Sequence, residues 1–183
     1  MRIIAGLAGG RKLKSAKGTS TRPTLDRIKE SIFNMIVSYL PGAAGLDLFA
    51  GFGTLGLEAI SRGAKWIDFV EKDYRNIRVI KENIALCNFE DMARVIKKDV
   101  FDFLRNTAQQ YNLILLDPPY GAGMVSPTIS LIEERGLLDK NGIIVAELGQ
   151  GEMVGKFNGL AMIREREYGD TKIVILQCRR GEN

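Results

Sequence analysis

The chain has 183 residues, of which 45% are hydrophobic and 26% are charged, a composition typical of one globular domain with a sizeable core. It contains no histidine and only two cysteines, which excludes a His/Cys zinc site and any nucleophilic dyad built on histidine. No apolar stretch reaches the roughly 18 residues of a membrane span, and the start lacks the apolar segment of a signal peptide. We therefore expect a cytoplasmic, monomeric protein that binds neither metal nor membrane.

The net charge of +4 is unevenly distributed along the chain. Residues 1–23 contain six basic residues and no acid, so the remaining residues together carry a net charge of −2. A basic block of this kind indicates a surface that contacts phosphates. A solvated basic end has the same composition, so both interpretations stay open at this point.

The first 40 residues predict an extension that precedes the main fold. Residues 2–13 favour a small hairpin around three glycines, and residues 14–22 favour a polar loop. Isoleucines at 28, 32 and 36 then share one face of a helix that opens at Pro23 and ends at Pro41-Gly42.

Strands and helices alternate strictly after this extension. Helices are predicted at residues 54–62, 74–87, 100–108 and 126–136, and strands at residues 45–49, 65–71, 93–96, 112–116, 142–147, 161–168 and 172–178. Such alternation predicts an α/β fold with a mostly parallel, Rossmann-like sheet. The last two strands flank the turn residues Gly169-Asp170 and predict an antiparallel hairpin. We expect a single domain over 1–183, with an extension at 1–40 and a core at 41–183.

A glycine-rich loop follows the first predicted strand of the core. Gly51 and Gly53 would let the backbone approach a ligand, and Gly56 would permit close packing of the next helix on the sheet. NAD-binding proteins share this glycine pattern, which is weak evidence by itself. Asp47 places a carboxylate beside the glycines, which suits a cationic amino acid group and disfavours a pyrophosphate. The charge therefore favours S-adenosylmethionine over NAD.

Two further acids lie where a nucleoside could be held. Glu71 follows Gly51 by 20 residues, the spacing at which an acid reaches ribose hydroxyls. Asp99 begins a predicted helix, where it can accept a hydrogen bond from an adenine amino group, cap the helix, or do both. The predicted cofactor-binding residues are Asp47, Phe49, Gly51, Gly53, Glu71, Lys72, Asp99 and Val100.

The most informative motif is Asp117-Pro118-Pro119-Tyr120, which follows a strongly apolar strand. Open α/β sheets bind ligands at the carboxyl ends of their strands. There the Asp117 carboxylate and the Pro118 carbonyl can accept both hydrogens of an exocyclic amine, which aims the nitrogen lone pair at a methyl donor. Tyr120 can stack on a nucleobase that is flipped out or unpaired. We predict that these four residues are catalytic.

The sequence as a whole resembles the RsmD family, class I methyltransferases that use S-adenosylmethionine to modify guanine N2 in bacterial small-subunit (16S) ribosomal RNA. The Asp117–Tyr120 motif alone indicates only a methyltransferase of amino groups, whereas the segment R-P-T-x-D-R at 22–27 is more specific. The resemblance rests on residues 2–6, 10–13, 22–30, 46–59, 71 and 117–120.

The resemblance implies a seven-stranded sheet, S-adenosylmethionine as cofactor and ribosomal RNA as substrate, either free or within an assembled small subunit. Whether the arginines of the 22–27 segment contact phosphate or brace the fold stays open. The predicted RNA-binding residues are Arg2, Arg11, Lys12, Arg22 and Arg27.

Three other functions are compatible with parts of this pattern. An adenine-N6 methyltransferase of DNA or RNA could use the same four-residue motif, although no extra target-recognition domain is evident. An RNA assembly factor with an unused site would not need an intact motif and glycine loop. An NAD-dependent oxidoreductase is disfavoured by Asp47 and by the lack of an evident acid or base for hydride transfer.

Overall fold

The structure is a computed structural model that describes residues 1–15 and 23–179, so Arg22 and most of the predicted polar loop lie outside it. Two short 3-10 turns, Val37–Tyr39 and Glu90–Met92, accompany twelve helices and strands. In chain order these are α1 (Pro23–Met35), β1 (Ala44–Leu48), α2 (Thr54–Ser61), β2 (Trp66–Glu71), α3 (Tyr74–Cys87), β3 (Ala93–Lys97), α4 (Val100–Asn106), β4 (Tyr111–Leu116), α5 (Val125–Glu134), β5 (Leu138–Gly149), β6 (Leu160–Tyr168) and β7 (Thr171–Cys178).

The seven strands form one sheet in the order β3-β2-β1-β4-β5-β7-β6. Strands β1 to β5 are parallel, whereas β7 runs antiparallel to both β5 and β6. The predicted α/β fold with a terminal antiparallel hairpin is therefore confirmed. Strand order reverses at β1, and the carboxyl ends of β1, β2, β4 and β5 meet at one edge of the sheet.

Helices cover both faces of the sheet and bury two apolar layers. Helices α1, α2 and α3 pack on one face, and α4 and α5 pack on the other. The predicted periodicity of α3 is confirmed, because Ile77, Ile80 and Ile84 are all buried. Each such side chain stabilises the fold by about 1.5–3 kcal/mol relative to an exposed one.

The N-terminal segment has fewer paired residues than the predicted hairpin. Its glycine-rich turn occupies most of the sequence between its ends, so a single antiparallel bridge joins Arg2 to Lys12. The Ile3 amide donates to the Arg11 carbonyl at 2.9 Å, and the Gly10 amide donates to the Ile3 carbonyl at 2.9 Å. Ile3 is fully buried in the same apolar layer as α1, α2 and α3, so this segment is part of the core.

Several element boundaries differ from the prediction for local reasons. Helix α1 ends at Met35 and gives way to the 3-10 turn, and α4 ends at Asn106 because Thr107 is extended. Strand β5 begins at Leu138, before the predicted start, with a register shift where Leu138 pairs with Tyr111 and Ile143 pairs with Leu113. None of the described helices is both long and apolar enough to cross a bilayer.

Candidate active site

A cleft of about 620 Å³ lies at the carboxyl edge of the sheet. Its floor and walls come from the glycine loop after β1, the ends of β2 and β5, the start of α4, the turn after β4 and one face of α1. A volume of this size is in the usual range for a bound small molecule. Its position matches the sheet edge at which the sequence predicts a ligand site.

The glycines of the loop differ in whether they border the cleft. Gly51 has φ +55° and borders the cleft. Gly53 has φ +78°, but a Cβ there would meet Phe69 and Ile80 at 3.3 and 3.4 Å, and Gly53 does not border the cleft. The approach of Gly53 to a ligand stays a prediction. Its glycine is required by the left-handed turn at the start of α2 and by packing on the core.

The prediction for Gly56 is confirmed. A Cβ at this position would come within 2.3 Å of the Phe69 ring and 2.9 Å of an Asp47 carboxylate oxygen. Only a glycine lets the first turn of α2 lie this close to β1 and β2.

Asp47 lies beneath the loop and does not face the cleft. It is 1% exposed, and its Oδ2 accepts a hydrogen bond from the Gly56 amide at 2.9 Å. Burial raises the pKa of this carboxyl well above its usual range, and the charges of Asp117 and Glu71 add to the rise against the opposing effect of the Gly56 hydrogen bond. Asp47 supports the start of α2, and its contact with a cationic group stays a prediction.

Glu71 joins the end of β2 to the glycine loop and borders the cleft. Its Oε2 accepts from the Gly51 amide at 2.9 Å, and its Oε1 accepts from the amides of Lys72 and Asp73, both at 2.8 Å. A carboxylate offers about four acceptor directions, so one remains for a ligand hydroxyl. The geometry is compatible with the predicted role and adds a second one, which is to fix the loop.

Asp99 caps α4 at the cleft wall. Its Oδ1 accepts from the Phe101 amide at 2.9 Å, which confirms the cap, while its Oδ2 makes no hydrogen bond within the described part of the chain. Val100, Lys72 and Phe49 border the same cleft. Phe49 holds a φ of +59°, which is uncommon for a residue other than glycine and is found most often at ligand sites.

The Asp117–Tyr120 turn forms the opposite wall. All four residues border the cleft. Protein walls surround Asp117 although its side chain stays open to the cleft, and this desolvation, with the negative charge of Glu147 added, raises the Asp117 pKa to about 7.

Tyr120 is held by acceptors that the sequence did not reveal. Its hydroxyl donates to Oε1 of Glu147 and lies 3.4 Å from the Thr171 hydroxyl, while its ring remains 55% exposed. Glu152 accepts from the amides of Gly121 and Gly149, at 3.1 and 2.9 Å, and so ties the turn to the end of β5. The one signal for Glu147 was its place at the end of an apolar strand beside the strand that carries Asp117.

Helix α1 and the N-terminal segment form a roof over one side of the cleft. Met1, Asp26, Ile28, Lys29 and Ile32 all border it. The sequence does not indicate which residues of this region border the cleft, because the apolar face of α1 shows only that the helix is half-buried.

A buried carboxylate ties the roof to the core. Glu58 on α2 is fully buried and accepts from the amides of Ile4 and Ala5, at 2.7 and 3.1 Å. It also lies 3.3 Å from Nζ of Lys29 and 2.7 Å from Nε of Arg62. Burial lowers the Lys29 pKa, although Glu58 opposes that change.

The described residues among those predicted to bind RNA lie outside the cleft. Arg2 pairs with Asp26 at 3.1 Å, and Asp26 borders the cleft. Arg11, Lys12 and Arg27 are exposed, and none of them forms a salt bridge with another described residue. The bridge to Arg2 brings Lys12 beside the Met1 end of the roof, so Arg2 and Lys12 form a short basic rim at the cleft. Arg11 lies near Cys87, at the end of α3 that is far from the cleft.

A second cavity of about 580 Å³ adjoins the Asp117–Tyr120 turn. Tyr120 and Ile28 border both cavities. The other walls come from residues 149–152 after β5 and from the turn at 168–171 between β6 and β7. The Tyr168 hydroxyl bonds to the Ser31 hydroxyl, so α1 is anchored to this hairpin as well as to α2.

Residues 1–177 match the family model described as conserved hypothetical protein 95. The chain belongs to this family. It is 42% identical to YlbH of Bacillus subtilis, a proposed rRNA methyltransferase, over 98% of this chain and 100% of that protein. It is 36% identical to ribosomal RNA small subunit methyltransferase D of Haemophilus influenzae, over 92% and 89% of the two chains.

The fold comparison agrees with the family. The solved structure of YhhF from Escherichia coli, a proposed methyltransferase, superposes with a TM-score of 0.86 at 32% identity and covers 97% of both chains. Together with these relatives, the match confirms the resemblance predicted from the motifs and identifies the sheet as that of a class I methyltransferase.

Proposed function

We propose that this protein transfers a methyl group from S-adenosylmethionine to the exocyclic N2 of a guanine in small-subunit ribosomal RNA. The observation that carries the proposal is the placement of the Asp117–Tyr120 turn across one cleft from the glycine loop. Relatives in this family are named rRNA methyltransferases, which supports an amine-holding role for the turn and a nucleoside-holding role for the loop.

The residues around the cleft fit the cofactor. Six carboxylates border the cleft against three lysines, one of which is engaged by Glu58, and this balance favours a cationic ligand over a phosphate. Glu71 would accept a hydrogen bond from a ribose hydroxyl, and Asp99 and Val100 would hold the adenine. When bound, S-adenosylmethionine supplies an electrophilic methyl group.

The protein's part in the reaction is to orient the target amine. The Asp117 carboxylate and the Pro118 carbonyl accept hydrogen bonds from its two N–H groups, so the lone pair is localised on the nitrogen instead of being shared with the ring, and it points toward the methyl donor. Their negative charge also stabilises the positive charge that develops on the nitrogen. Asp117 or water then accepts the released proton.

Tyr120 positions the base itself. Its exposed ring offers a stacking surface, and the hydrogen bond to Glu147 fixes the ring against rotation out of the site. The second cavity gives a flipped nucleoside access to this ring. Arg2 and Lys12 at the rim, together with Arg11, Arg22 and Arg27, would hold the RNA backbone, which would make residues 1–40 the RNA-contacting extension.

Nucleoside analysis tests the proposal. The protein is incubated with labelled S-adenosylmethionine and small ribosomal subunits lacking the modification, and separately with the free RNA. Label in N2-methylguanine is the expected result. Label in N6-methyladenine would replace the substrate while keeping the cofactor, and absence of label from both acceptors despite cofactor binding would overturn the proposed activity.

A further inference from the structure

Glu147 lies beside Asp117, and one of its carboxylate oxygens has no part in the proposed mechanism. Strands β4 and β5 are parallel, with Leu116 paired to Ala146, so Asp117 and Glu147 are the next residues on neighbouring strands and point to the same side. Neighbouring strands lie about 4.8 Å apart. Glu147 therefore stands beside the group that holds the target amine.

One oxygen of Glu147 is engaged and the other faces the cleft. Oε1 accepts from the Tyr120 hydroxyl, and Oε2 has no partner among the described residues. Every fully buried side-chain oxygen or nitrogen in the described part of the chain has a partner. Oε2 must therefore be reachable from the cleft, although Glu147 as a whole is only 8% exposed.

A guanine presents two kinds of donor side by side on one edge, the N2 amine and the N1–H. An adenine presents its amine beside N1, which is an acceptor. An acceptor placed next to the amine-holding group therefore fits guanine, and would oppose adenine by setting two lone pairs against each other.

We propose that Oε2 of Glu147 accepts the N1–H of the target guanine and thereby selects guanine over adenine. This inference rests on the proposed function and adds the residue that determines its base specificity. Because the Tyr120 hydroxyl holds Oε1, the orientation of the carboxylate is fixed before the base arrives.

The hydrogen bond from the Tyr120 hydroxyl determines which part of the amide faces the cleft when Glu147 is replaced by Gln. In Glu147→Gln the amide oxygen keeps the bond from the Tyr120 hydroxyl, so the amide nitrogen faces the cleft and becomes a donor. A donor there opposes N1–H of guanine and matches the N1 acceptor of 2-aminopurine, a base that retains the N2 amine.

The experiment compares two bases at the nucleotide that the wild-type protein methylates. Synthetic RNA carrying guanine or 2-aminopurine at that nucleotide is assembled into the accepted substrate, and kcat/KM is measured for each. We expect the wild type to prefer guanine by at least about tenfold, and Glu147→Gln to lose or reverse this preference. Glu152→Gln is the matched control, since it alters another carboxylate that contacts the same turn and should slow both substrates without changing their ratio.

Each outcome decides between the alternatives. A wild type that does not distinguish the two bases, or a Glu147→Gln protein that slows both equally while it still melts cooperatively and binds S-adenosylmethionine, would overturn the inference and leave Glu147 as a support for Tyr120. A wild type that forms no N2-methylguanine would overturn the proposed function itself, which the guanine arm reports separately.

Discussion

At the scale of single residues, Asp117 combines an exposed side chain with a strongly shifted pKa. We expect Asp117→Ala to reduce methyl transfer by at least about 100-fold, because the amine loses the acceptor that orients it. S-adenosylmethionine should still bind, since Glu71, Asp99 and the glycine loop are untouched. Labelled-methyl transfer and calorimetric titration measure the two properties, and Asp91→Ala provides an exposed carboxylate away from the cleft as control. A variant that keeps its activity would remove Asp117 from the mechanism.

The pKa of Asp117 also predicts how stability changes with pH. Its folded-state pKa of about 7 exceeds the ordinary value of 3.8, so between these pH values the folded protein holds a proton that the unfolded chain has released. The stabilisation is therefore complete below about pH 4 and is lost as pH rises through 7. Asn cannot ionise, so Asp117→Asn should melt above the wild type at pH 8 and close to it at pH 4.

The expected size of this effect is modest because the cleft is open to water. A gain of no more than about 1 kcal/mol corresponds to a rise of about 2–4 °C in Tm at this chain length. Thermal unfolding of both proteins at the two pH values measures it. Equal melting temperatures at pH 8 would mean that Asp117 is ionised in the folded protein without cost.

Residue roles divide into those that the sequence could predict and those that it could not. Asp117 and Tyr120 were predictable because a rigid turn after an apolar strand restricts where their side chains can point. That Asp47 accepts from the Gly56 amide could not be predicted, because its neighbours in sequence do not reveal whether a strand-end carboxylate turns toward the cleft or beneath the loop. Glu147 and Glu58 depend on register and on contacts between distant segments, which no local pattern carries.

At the scale of elements, the N-terminal segment is fixed to α2 by close contact at Gly6. Gly6 has φ +84°, and a Cβ there would lie 1.8 Å from the Ser61 carbonyl oxygen. That oxygen also accepts from the Leu7 amide at 2.8 Å. The segment can therefore dock only if Gly6 has no side chain.

Gly10 offers a matched control for this contact. Its φ of +82° is almost the same, but a Cβ there meets nothing within 4 Å. We expect Gly6→Ala to lose about 2–4 kcal/mol from strain and collision together, and Gly10→Ala to lose about 1–2 kcal/mol from strain alone. Denaturant unfolding measures both losses.

Undocking of the roof should also weaken the cofactor, because Met1, Lys29 and Ile32 border the cleft. Gly6→Ala should therefore bind S-adenosylmethionine less tightly than Gly10→Ala in calorimetric titration. Equal affinities and equal losses of stability would mean that the N-terminal segment does not support the cleft.

Most elements were predictable from sequence, and the exceptions have physical causes. Helix α3 was predicted with its observed bounds because Asp73 caps its start, with its side chain accepting from the Arg75 amide, and its apolar residues keep one face. The start of β5 was missed because polar residues with turn character separate Leu138 from Ile143, and the sheet accommodates them by a register shift. The N-terminal segment was predicted to be a hairpin but forms a single bridge, because its glycines leave few residues to pair.

At the scale of the whole molecule, opposite charges are separated between the cleft and its rim. Carboxylates dominate the cleft, which suits a cationic methyl donor, whereas Arg2 and Lys12 of the extension lie at its rim. A phosphate backbone would be repelled from the cleft and held at the rim. Under the proposed function, a single flipped base would enter the cleft while the RNA chain stayed outside.

The salt dependence of RNA binding tests this separation. Each phosphate contact contributes about 0.7–0.9 to the slope of log affinity against log salt concentration. Replacing Arg11 and Lys12 by Gln should therefore reduce the slope by up to about 1.4–1.8, weaken binding at low salt and leave the affinity for S-adenosylmethionine unchanged. Filter binding of the substrate RNA across a salt series measures the slope.

The matched control removes the same charge from the opposite side of the molecule. Lys65 and Lys140 are exposed and lie at the amino edge of the sheet, just before β2 and early in β5, away from the cleft. Replacing both by Gln should leave the slope within experimental error of the wild type. If the two double variants lowered the slope equally, the protein would respond only to its net charge, and the basic rim would have no specific part in holding RNA.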